Sequence, residues 1–363
     1  MQKNTTESIF KTYSKIIAFT AIMIVLLWLL FKVAHILLLF TLAIVFALII
    51  NAPVGWLEKR KMKRQWAALI VFGLIFLVIL LIGWLILPKV FEEFRSLILS
   101  LPVYVSRLSN TLSSWFTEYP DISKEISKNG SDMSQWLPSA SKVFSQARNY
   151  SAYVLGVFFL FILFTSIVGY AVSRPRPLLE IYYSFFDIEK REKAQIALLH
   201  TGKMLIGWIR ANLIGGSIEA VCSTIFLSIL NVPGAWLWGA LALVAELIPI
   251  LGVYIMAIPP ILVAFSVGPG TAMWVLIFYV ILTQIMSNFI MPRLLASRMN
   301  IHPVSTLFML LIMGSAFGVM GALLTVPVTA IIKAYYEAFY KINHEKDSML
   351  NKRIETIIYQ TSK

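Results

Sequence analysis

The sequence LALVAELIPILGVYIMAIPP, residues 241–260, combines a long apolar run with features that an ordinary membrane helix excludes. It carries one carboxylate, Glu246, and the helix-breaking residues Pro249, Gly252 and the pair Pro259–Pro260. A charge at the bilayer centre costs about 2.5–3.5 kcal/mol on insertion scales, and an interior proline removes a helical hydrogen bond. Such features persist where surrounding protein or a water-filled cavity satisfies them. The stretch therefore predicts a broken segment that lines a transport pathway.

The composition of the whole chain agrees with a membrane location. Of 363 residues, 59% are hydrophobic and 13% are charged, roughly half the charged fraction of soluble domains, and the mean hydropathy is +0.80. We predict an all-α polytopic membrane protein of about eight transmembrane helices, each needing about 20 apolar residues. The net charge of +13 fits basic loops on the cytoplasmic side, so nucleic acid is not a predicted partner.

Residue types that carry enzymatic or metal chemistry are scarce. One cysteine, Cys222, and 4 histidines form no metal-ligand pattern. No Walker A, HExxH or GxSxG motif occurs, and without a P-loop this chain is not predicted to be an ATP-driven pump. We therefore predict no enzyme activity, no metal site and no cofactor.

The N-terminal segment, residues 1–88, predicts three membrane helices. Apolar runs at 16–31 and 33–50 suggest two crossings joined by a tight turn at Lys32 and His35, with one long tilted helix as the alternative. The basic block at 58–64 is predicted to be cytoplasmic, which places the N-terminus on the same side. A third helix, 65–87, is expected to stop at Pro88.

Residues 89–150 lack a membrane-length apolar run. Their apolar residues recur at helical spacing, as in Leu101, Val105, Leu108, Leu112 and Trp115. We predict an extracytoplasmic amphipathic helical insert. Its apolar face is expected on the membrane core, on a neighbouring subunit or on lipid.

Residues 151–340 are predicted to form the C-terminal transmembrane core, and 341–363 a cytoplasmic tail. Within the core, the crossing at 206–230 carries a second intramembrane acid, Glu219. Residues 236–267 are long enough for one kinked crossing or for a re-entrant hairpin of two half-helices. The glycine-broken tract at 303–332 is either a crossing or a second such hairpin.

Candidate transport-pathway residues are the intramembrane acids, the polar residues of late helices and the proline and glycine breaks. An intramembrane carboxylate can exchange a proton or bind a cation beside freed carbonyls. The alternatives are structural: a cap on backbone freed near Pro249 for Glu246, an interhelical hydrogen bond for Gln284 and Asn288, and an interfacial position for His302. The full set is Glu219, Glu246, Pro249, Gly252, Pro259, Gln284, Asn288, His302, Gly314, Gly318, Gly321 and Pro327.

Two C-terminal motifs resemble those of the autoinducer-2 exporter family of PerM-like permeases. One is ELIPILG at 246–252; the other is the proline- and glycine-spaced segment from Pro292 to Pro327. The resemblance implies an integral protein of the bacterial inner membrane with about eight helices. Independently of it, eight crossings and the basic block at 58–64 predict that both termini are cytoplasmic. It also implies export of the autoinducer-2 signal or sodium(lithium)/proton antiport.

Three functional hypotheses follow from these observations. The first is a secondary transporter or exporter of a small polar solute, and the second is a cation/proton antiporter that uses Glu219 and Glu246. The third is a membrane scaffold that binds a partner through the insert at 89–150. Expected partners are membrane lipid, a small solute or cation and proton, and further copies of this chain in a homo-oligomer.

Overall fold

The computed structural model describes residues 2–116, 121, 151–249, 251–295, 301–341, 349 and 354–357. The main elements are helices: α1 (Gln2–Glu58), α2 (Arg64–Trp115), α3 (Ser151–Ser173), α4 (Pro175–Ser184), α5 (Arg191–Ile229), α6 (Ala235–Ala245), α7 (Leu251–Ala264), α8 (Pro269–Ile285), α9 (Met291–Leu295) and α10 (Pro303–Tyr336). A 3-10 turn, Ile188–Lys190, precedes α5, and π-helical turns follow α8 (Met286–Ile290) and α10 (Glu337–Lys341).

The all-α polytopic fold is confirmed. Within the described residues, 6 helical segments are long and apolar enough to cross a membrane, or up to 7 if α3 and α4, bent by 83°, count as one span. The helices α6 and α7 are apolar but shorter. At 1.5 Å per residue they are about 16 and 21 Å long, less than a hydrocarbon core of about 30 Å.

The predicted turn at Lys32 and His35 is wrong. α1 is one helix of 57 residues, and the two candidate spans Lys15–Ala34 and Ile36–Glu58 both belong to it. No glycine or proline lies near Lys32 to end the helix, and the Lys32 ammonium lies 4.8 Å from the centre of the Trp28 ring. A cytoplasmic N-terminus, which depended on that turn, stays a prediction.

The predicted helix stop at Pro88 is also wrong. α2 continues through Pro88 and Pro102 to Trp115, because a proline inside a membrane helix is tolerated when local adjustments satisfy the freed carbonyl. The predicted helix in the insert is confirmed for 89–115, where Leu101 and Val105 are half-buried. Apart from Phe116 and Asp121, the rest of the insert lies outside the described residues. Another proline, Pro292, also lies inside a helix, since α9 continues to Leu295.

One end of the bundle, here called the Arg64 face, is held by polar contacts between helices. The Arg64 guanidinium donates to the carbonyl of Val172 (2.8 Å), to Glu58 Oε2 (2.8 Å) and to Asn51 Oδ1, joining α1, α2 and α3. Small apolar side chains pack beside it in one buried cluster that includes Val54 and Ala67.

The helices α6 and α7 form an antiparallel pair, hairpin A (residues 235–264). Leu237 and Trp238 at the start of α6 share a buried cluster with Val263 and Ala264 at the end of α7. At the other end the chain turns so tightly that a Cβ built on Gly252 would lie 1.9 Å from the carbonyl oxygen of Ala245. Of the two alternatives for 236–267, this is the hairpin of half-helices.

The helix α10 is also folded back on itself and forms hairpin B (residues 303–336). Gly318 has φ 61° and ψ −143°, a conformation that is accessible essentially only to glycine. A Cβ on Gly321 would lie 1.9 Å from the carbonyl oxygen of Met313, although eight residues of continuous helix would separate the two by about 12 Å. Met313 and Leu324 then pack together with Leu38 of α1. The second hairpin alternative is therefore the one observed.

The two hairpins open toward opposite ends of the bundle. The second arm of hairpin B ends at the Arg64 face, where the Tyr335 hydroxyl donates to Tyr182 at 2.7 Å. Hairpin A opens at the other end, the Glu93 face, where Glu93 of α2 accepts hydrogen bonds from the backbone of Trp236 and Leu237. Re-entrant elements that enter from both faces are typical of transporters built from discontinuous helices.

Candidate functional site

The helix α5 presents a row of small and polar residues to the interior. Asn212, the adjacent pair Gly215 and Gly216, Glu219 and Ser223 follow one another at spacings of three or four residues, so they lie on one helix face, and all five are buried. Their burial differs from that of Arg210 on the same helix, which is exposed. This face supplies polar groups and close backbone access at the middle of a membrane-length helix.

The tip of hairpin A lies directly on the glycine pair of this face. A Cβ built on Gly216 would lie 3.1 Å from the carbonyl oxygen of Leu243 and 3.3 Å from Cβ of Glu246. On Gly215 it would lie 3.0 Å from Sδ of Met291, 3.3 Å from Cε of Met286 and 3.5 Å from Oε1 of Glu246. The glycine pair therefore admits the hairpin backbone and the Glu246 side chain at van der Waals distance.

The two intramembrane acids meet at this point. The side chains of Glu219 and Glu246 are neighbours, because Glu246 contacts Gly215 and Gly216, which lie about one helical turn before Glu219. Glu219 is 2% exposed, and no donor among the described residues reaches its Oε1 atom. Arg210 makes no ion pair with Glu219 in the described part of the chain. Two carboxyl groups that face each other without a cation can share one proton or bind a cation between them.

A small cavity adjoins the carboxyl pair. The cavity has a volume of about 10 Å³. It is lined by Glu219, Ser223, Ala242, Met256, Tyr279 and Leu282. That is close to the minimum for one water molecule. A small organic solute therefore does not fit unless the hairpin tip or a neighbouring helix moves.

The remaining candidates of hairpin A lie in its tip and its second helix. Pro249 lies in the turn between α6 and α7, and Gly252 makes the close contact that closes this turn. Pro259 lies within α7. These residues shape the hairpin, whereas Glu246 is its charged group at the α5 contact.

The polar candidates of the later helices are not part of the carboxyl pair. Asn288 Nδ2 donates to Gln284 Oε1 at 2.8 Å, and both side chains are exposed on the described chain. His302 Nδ1 accepts from the backbone N–H of Val304 at 3.3 Å, so this histidine caps the start of α10. Asn288 also lies in the π-helical turn Met286–Ile290, a distortion that is frequent at functional sites.

The glycine and proline candidates of α10 shape hairpin B. Gly318 forms the turn and Gly321 the close contact with Met313, whereas Gly314 has no neighbour within 4 Å and Pro327 is buried in the second arm. The second half of hairpin B, residues 319–336, is about 27 Å long. Ala194 of α5 also lies at the Arg64 face, where its carbonyl accepts from the Tyr182 hydroxyl. Following α5 from there over the same length leads to about the level of Asn212. The tip of hairpin B thus ends near the depth at which hairpin A meets α5.

Sequence reasoning missed four residues near the carboxyl pair. Asn212, whose Nδ2 atom is buried without a partner among the described residues, and Ser223 lie on the Glu219 face, so helical spacing was a usable signal. Tyr279 and Met286 of the α8 region had no such signal, because their proximity depends on how that helix packs. Nowhere in the described chain do three or more His, Cys, Asp or Glu side chains gather as a metal site would require.

Comparison with known proteins gives a consistent result over most of the chain. A family model described as "AI-2E family transporter" matches residues 17–341. The chain is 25% identical over 299 residues to "Putative transport protein YueF" of Bacillus subtilis, covering 78% of this chain and 79% of that protein. It is 24% identical to the similarly named YrrI of Bacillus subtilis, covering 88% of this chain and 90% of that protein. It is 23% identical to YhhT of Escherichia coli, covering 90% and 91%.

Proposed function

Because the chain belongs to the AI-2E family of transporters, we propose that it carries a small polar solute across the membrane along the contact between hairpin A and α5. Membership in this bacterial family, together with several membrane-length helices, makes it a multi-span membrane transport protein.

One observation carries the proposal: a carboxyl pair, with Glu219 buried and Glu246 half-buried, lies where the hairpin tip meets a glycine-lined helix. Glu246 enters from a turn between two half-length helices, and Glu219 comes from a membrane-length helix. Buried polar groups without partners are costly inside a membrane, so a pair retained there is a functional candidate. The Nδ2 atom of Asn212, which has no partner among the described residues, adds a hydrogen-bond donor on the same helix face, two turns away.

The shape of this region suggests how the pathway opens. The cavity beside Glu219 is about 10 Å³, which is too small for an organic solute. Hairpin A closes the site from the Glu93 face, and hairpin B reaches a similar depth from the Arg64 face. Opposed hairpins of this kind can withdraw in turn, which gives alternating access to a site between them. The autoinducer-2 signal, a small polar molecule, is the solute that the sequence resemblance suggests.

A second candidate function, cation/proton antiport, is favoured by the chemistry of the same pair. Cavity-lining residues include a carboxyl group and a tyrosine but no basic side chain. Two facing carboxyl groups can exchange a shared proton for a monovalent cation, because in either state one positive charge offsets the repulsion between the two carboxylates. This candidate uses Glu219 and Glu246 as ion ligands in place of solute contacts.

Flux measurements in proteoliposomes test the proposal. The purified chain is assayed for uptake of labelled autoinducer-2 and, separately, for a sodium- or lithium-driven change in lumenal pH. For the carrier, Glu219→Gln and Glu246→Gln are each expected to lower solute flux roughly 10- to 100-fold. This range corresponds to the loss of one hydrogen bond to a charged group, which contributes about 1.5–3 kcal/mol. For the antiporter, Glu246→Gln abolishes the ion-driven pH change.

The matched control is Glu180→Gln on α4, an exposed carboxylate that should leave both signals unchanged. Wild-type flux that is unaffected by either glutamine substitution contradicts the assigned pathway. If neither solute flux nor a pH change is observed, the scaffold hypothesis is favoured, and deleting 116–150 should then remove a co-purifying partner.

A further inference from the structure

The extension of α2 beyond Pro88 lies against the open end of hairpin A. Residues 89–115 are here called the arm. Its Glu93 Oε2 accepts hydrogen bonds from the backbone N–H groups of Trp236 at 2.8 Å and Leu237 at 3.0 Å. The Lys89 ammonium lies 4.3 Å from the centre of the Trp236 ring. The arm thereby satisfies two of the unpaired N–H groups that begin α6.

The arm also contacts the chain just after the end of α7. Arg107 Nη1 donates to the carbonyl oxygen of Ser266 at 3.0 Å, just after the end of α7. Leu97, which lies between the two polar contacts, is buried in the same cluster as Trp238 and Val263. Val90 and Tyr104 of the arm pack against this cluster. One helix therefore holds both the start of α6 and the end of α7, the two chain ends of hairpin A.

The charges on the arm match the helix ends that they contact. Glu93 lies at the N-terminus of α6, where the helix dipole is positive, and Arg107 lies at the C-terminus of α7, where it is negative. The two arm residues are separated by about four helical turns, roughly 21 Å, and so project from nearly the same helix face. Exchanging or removing these charges would weaken both contacts.

We propose that Glu93 and Arg107 are positioning residues for transport: the arm fixes the depth of hairpin A and so keeps Glu246 in register with Glu219. This inference rests on the proposed function. The hairpin is two short helices joined by a tight turn, so a shift at its base is transmitted to its tip. Neither Glu93 nor Arg107 lines the cavity at Glu219, and they act through the hairpin alone.

The position of the hairpin tip can be measured without any transport assay. In full-length protein with Cys222→Ser, Leu247→Cys places a half-buried thiol in the turn of hairpin A, and its rate of reaction with N-ethylmaleimide is followed. Glu93→Ala removes the cap and is expected to raise the rate roughly tenfold, in line with the loss of a helix cap. Glu93→Gln retains one acceptor oxygen and should give a smaller rise. Glu92→Gln, on an exposed neighbour, should give none.

A second reporter separates repositioning from general loosening. Val45→Cys on α1 is buried next to hairpin B, away from the arm, and its labelling should stay slow in Glu93→Ala. An unchanged rate at Leu247→Cys, or an equal rise at both reporters, overturns the proposal. These outcomes decide it even if the wild-type protein shows no flux, so its failure is distinguishable from failure of the proposed function.

Transport kinetics, normalised to the amount of folded protein in the vesicles, add a second readout, because loss of folded protein alone also lowers the maximal flux at constant KM. Arg107→Gln is expected to lower the maximal flux about tenfold with little change in KM, because a misplaced hairpin affects closure more than solute contact. Arg107→Lys should restore most of the flux, since an ammonium can still donate to the carbonyl of Ser266. The control Arg95→Gln removes an exposed arm charge and should behave as wild type. A rise in KM alone, or no rescue by lysine, contradicts the positioning role.

Discussion

Gly215 and Gly216 are adjacent, yet a side chain at each position would meet different neighbours. At Gly216 an added methyl group would crowd the backbone carbonyl of Leu243 at 3.1 Å; at Gly215 it would meet the flexible ends of Met286 and Met291. We expect Gly216→Ala to displace the hairpin tip, reducing flux and costing about 1–3 kcal/mol through overpacking. Gly215→Ala should be nearly neutral because the methionines can rotate away. Thermal unfolding in detergent and proteoliposome flux measure the difference.

The matched control is Gly202→Ala, on the same helix, where an added methyl group has no neighbour within 4 Å. It should be neutral or slightly stabilising, since alanine favours a helix over glycine by up to about 1 kcal/mol. Equal losses at 215 and 216 would contradict the assigned contact between the backbone of hairpin A and α5.

Individual acids were predictable from the sequence, but their pairing was not. Glu219 and Glu246 are conspicuous because a carboxylate in an apolar run is expensive. Their contact depends on the turn at Pro249–Gly252 folding back onto Gly215 and Gly216, which composition and spacing do not specify. His302 illustrates the opposite case: its role as a cap on α10 is local, and the adjacent proline at the first helical position was visible in the sequence.

At the scale of the element, the turn of hairpin B allows a comparison of three glycines in one helix pair. Gly321→Ala should destabilise the protein most, by at least about 1–3 kcal/mol, because its Cβ would lie 1.9 Å from the Met313 carbonyl. Gly318→Ala has open space but a φ of 61°, so we expect a cost of about 1–3 kcal/mol from backbone strain. Gly314→Ala, with no neighbour within 4 Å, should cost nothing. The midpoint of thermal unfolding orders the three variants, and a loss at Gly314 comparable to that at Gly321 would be inconsistent with a hairpin.

Breaks in the helices were predicted more reliably than their ends. Proline and glycine clusters at 249–252 and 314–321 indicated both breaks, because there a close approach or a left-handed backbone requires glycine. They left a crossing and a hairpin as alternatives at each break. The same rules failed at Pro88 and at Lys32. A lone proline can remain inside a long helix that is packed or bent, and a lysine with its alkyl stem along the helix does not interrupt the backbone at all.

For the whole molecule, hairpins rather than crossings change which loops share a face. Ser228 at the end of α5 and Gly270 at the start of α8 flank hairpin A, and both are exposed. If 236–267 crossed the membrane once, these residues would lie on opposite sides. A hairpin returns the chain to the side from which it entered, so both belong to the Glu93 face, together with the arm.

Cysteine labelling in oriented membranes tests this arrangement directly. In a Cys222→Ser background, Ser228→Cys and Gly270→Cys should react with a membrane-impermeant maleimide from the same side. Lys59→Cys, an exposed residue at the Arg64 face, should react from the opposite side only. For hairpin B the corresponding pair is Val304→Cys and Tyr340→Cys, both exposed and both expected on the side of Lys59. Because all five positions are exposed, their substitution should leave the core packing unchanged. Opposite-side labelling within either pair would replace that hairpin with a crossing and would remove the two-sided approach on which alternating access depends.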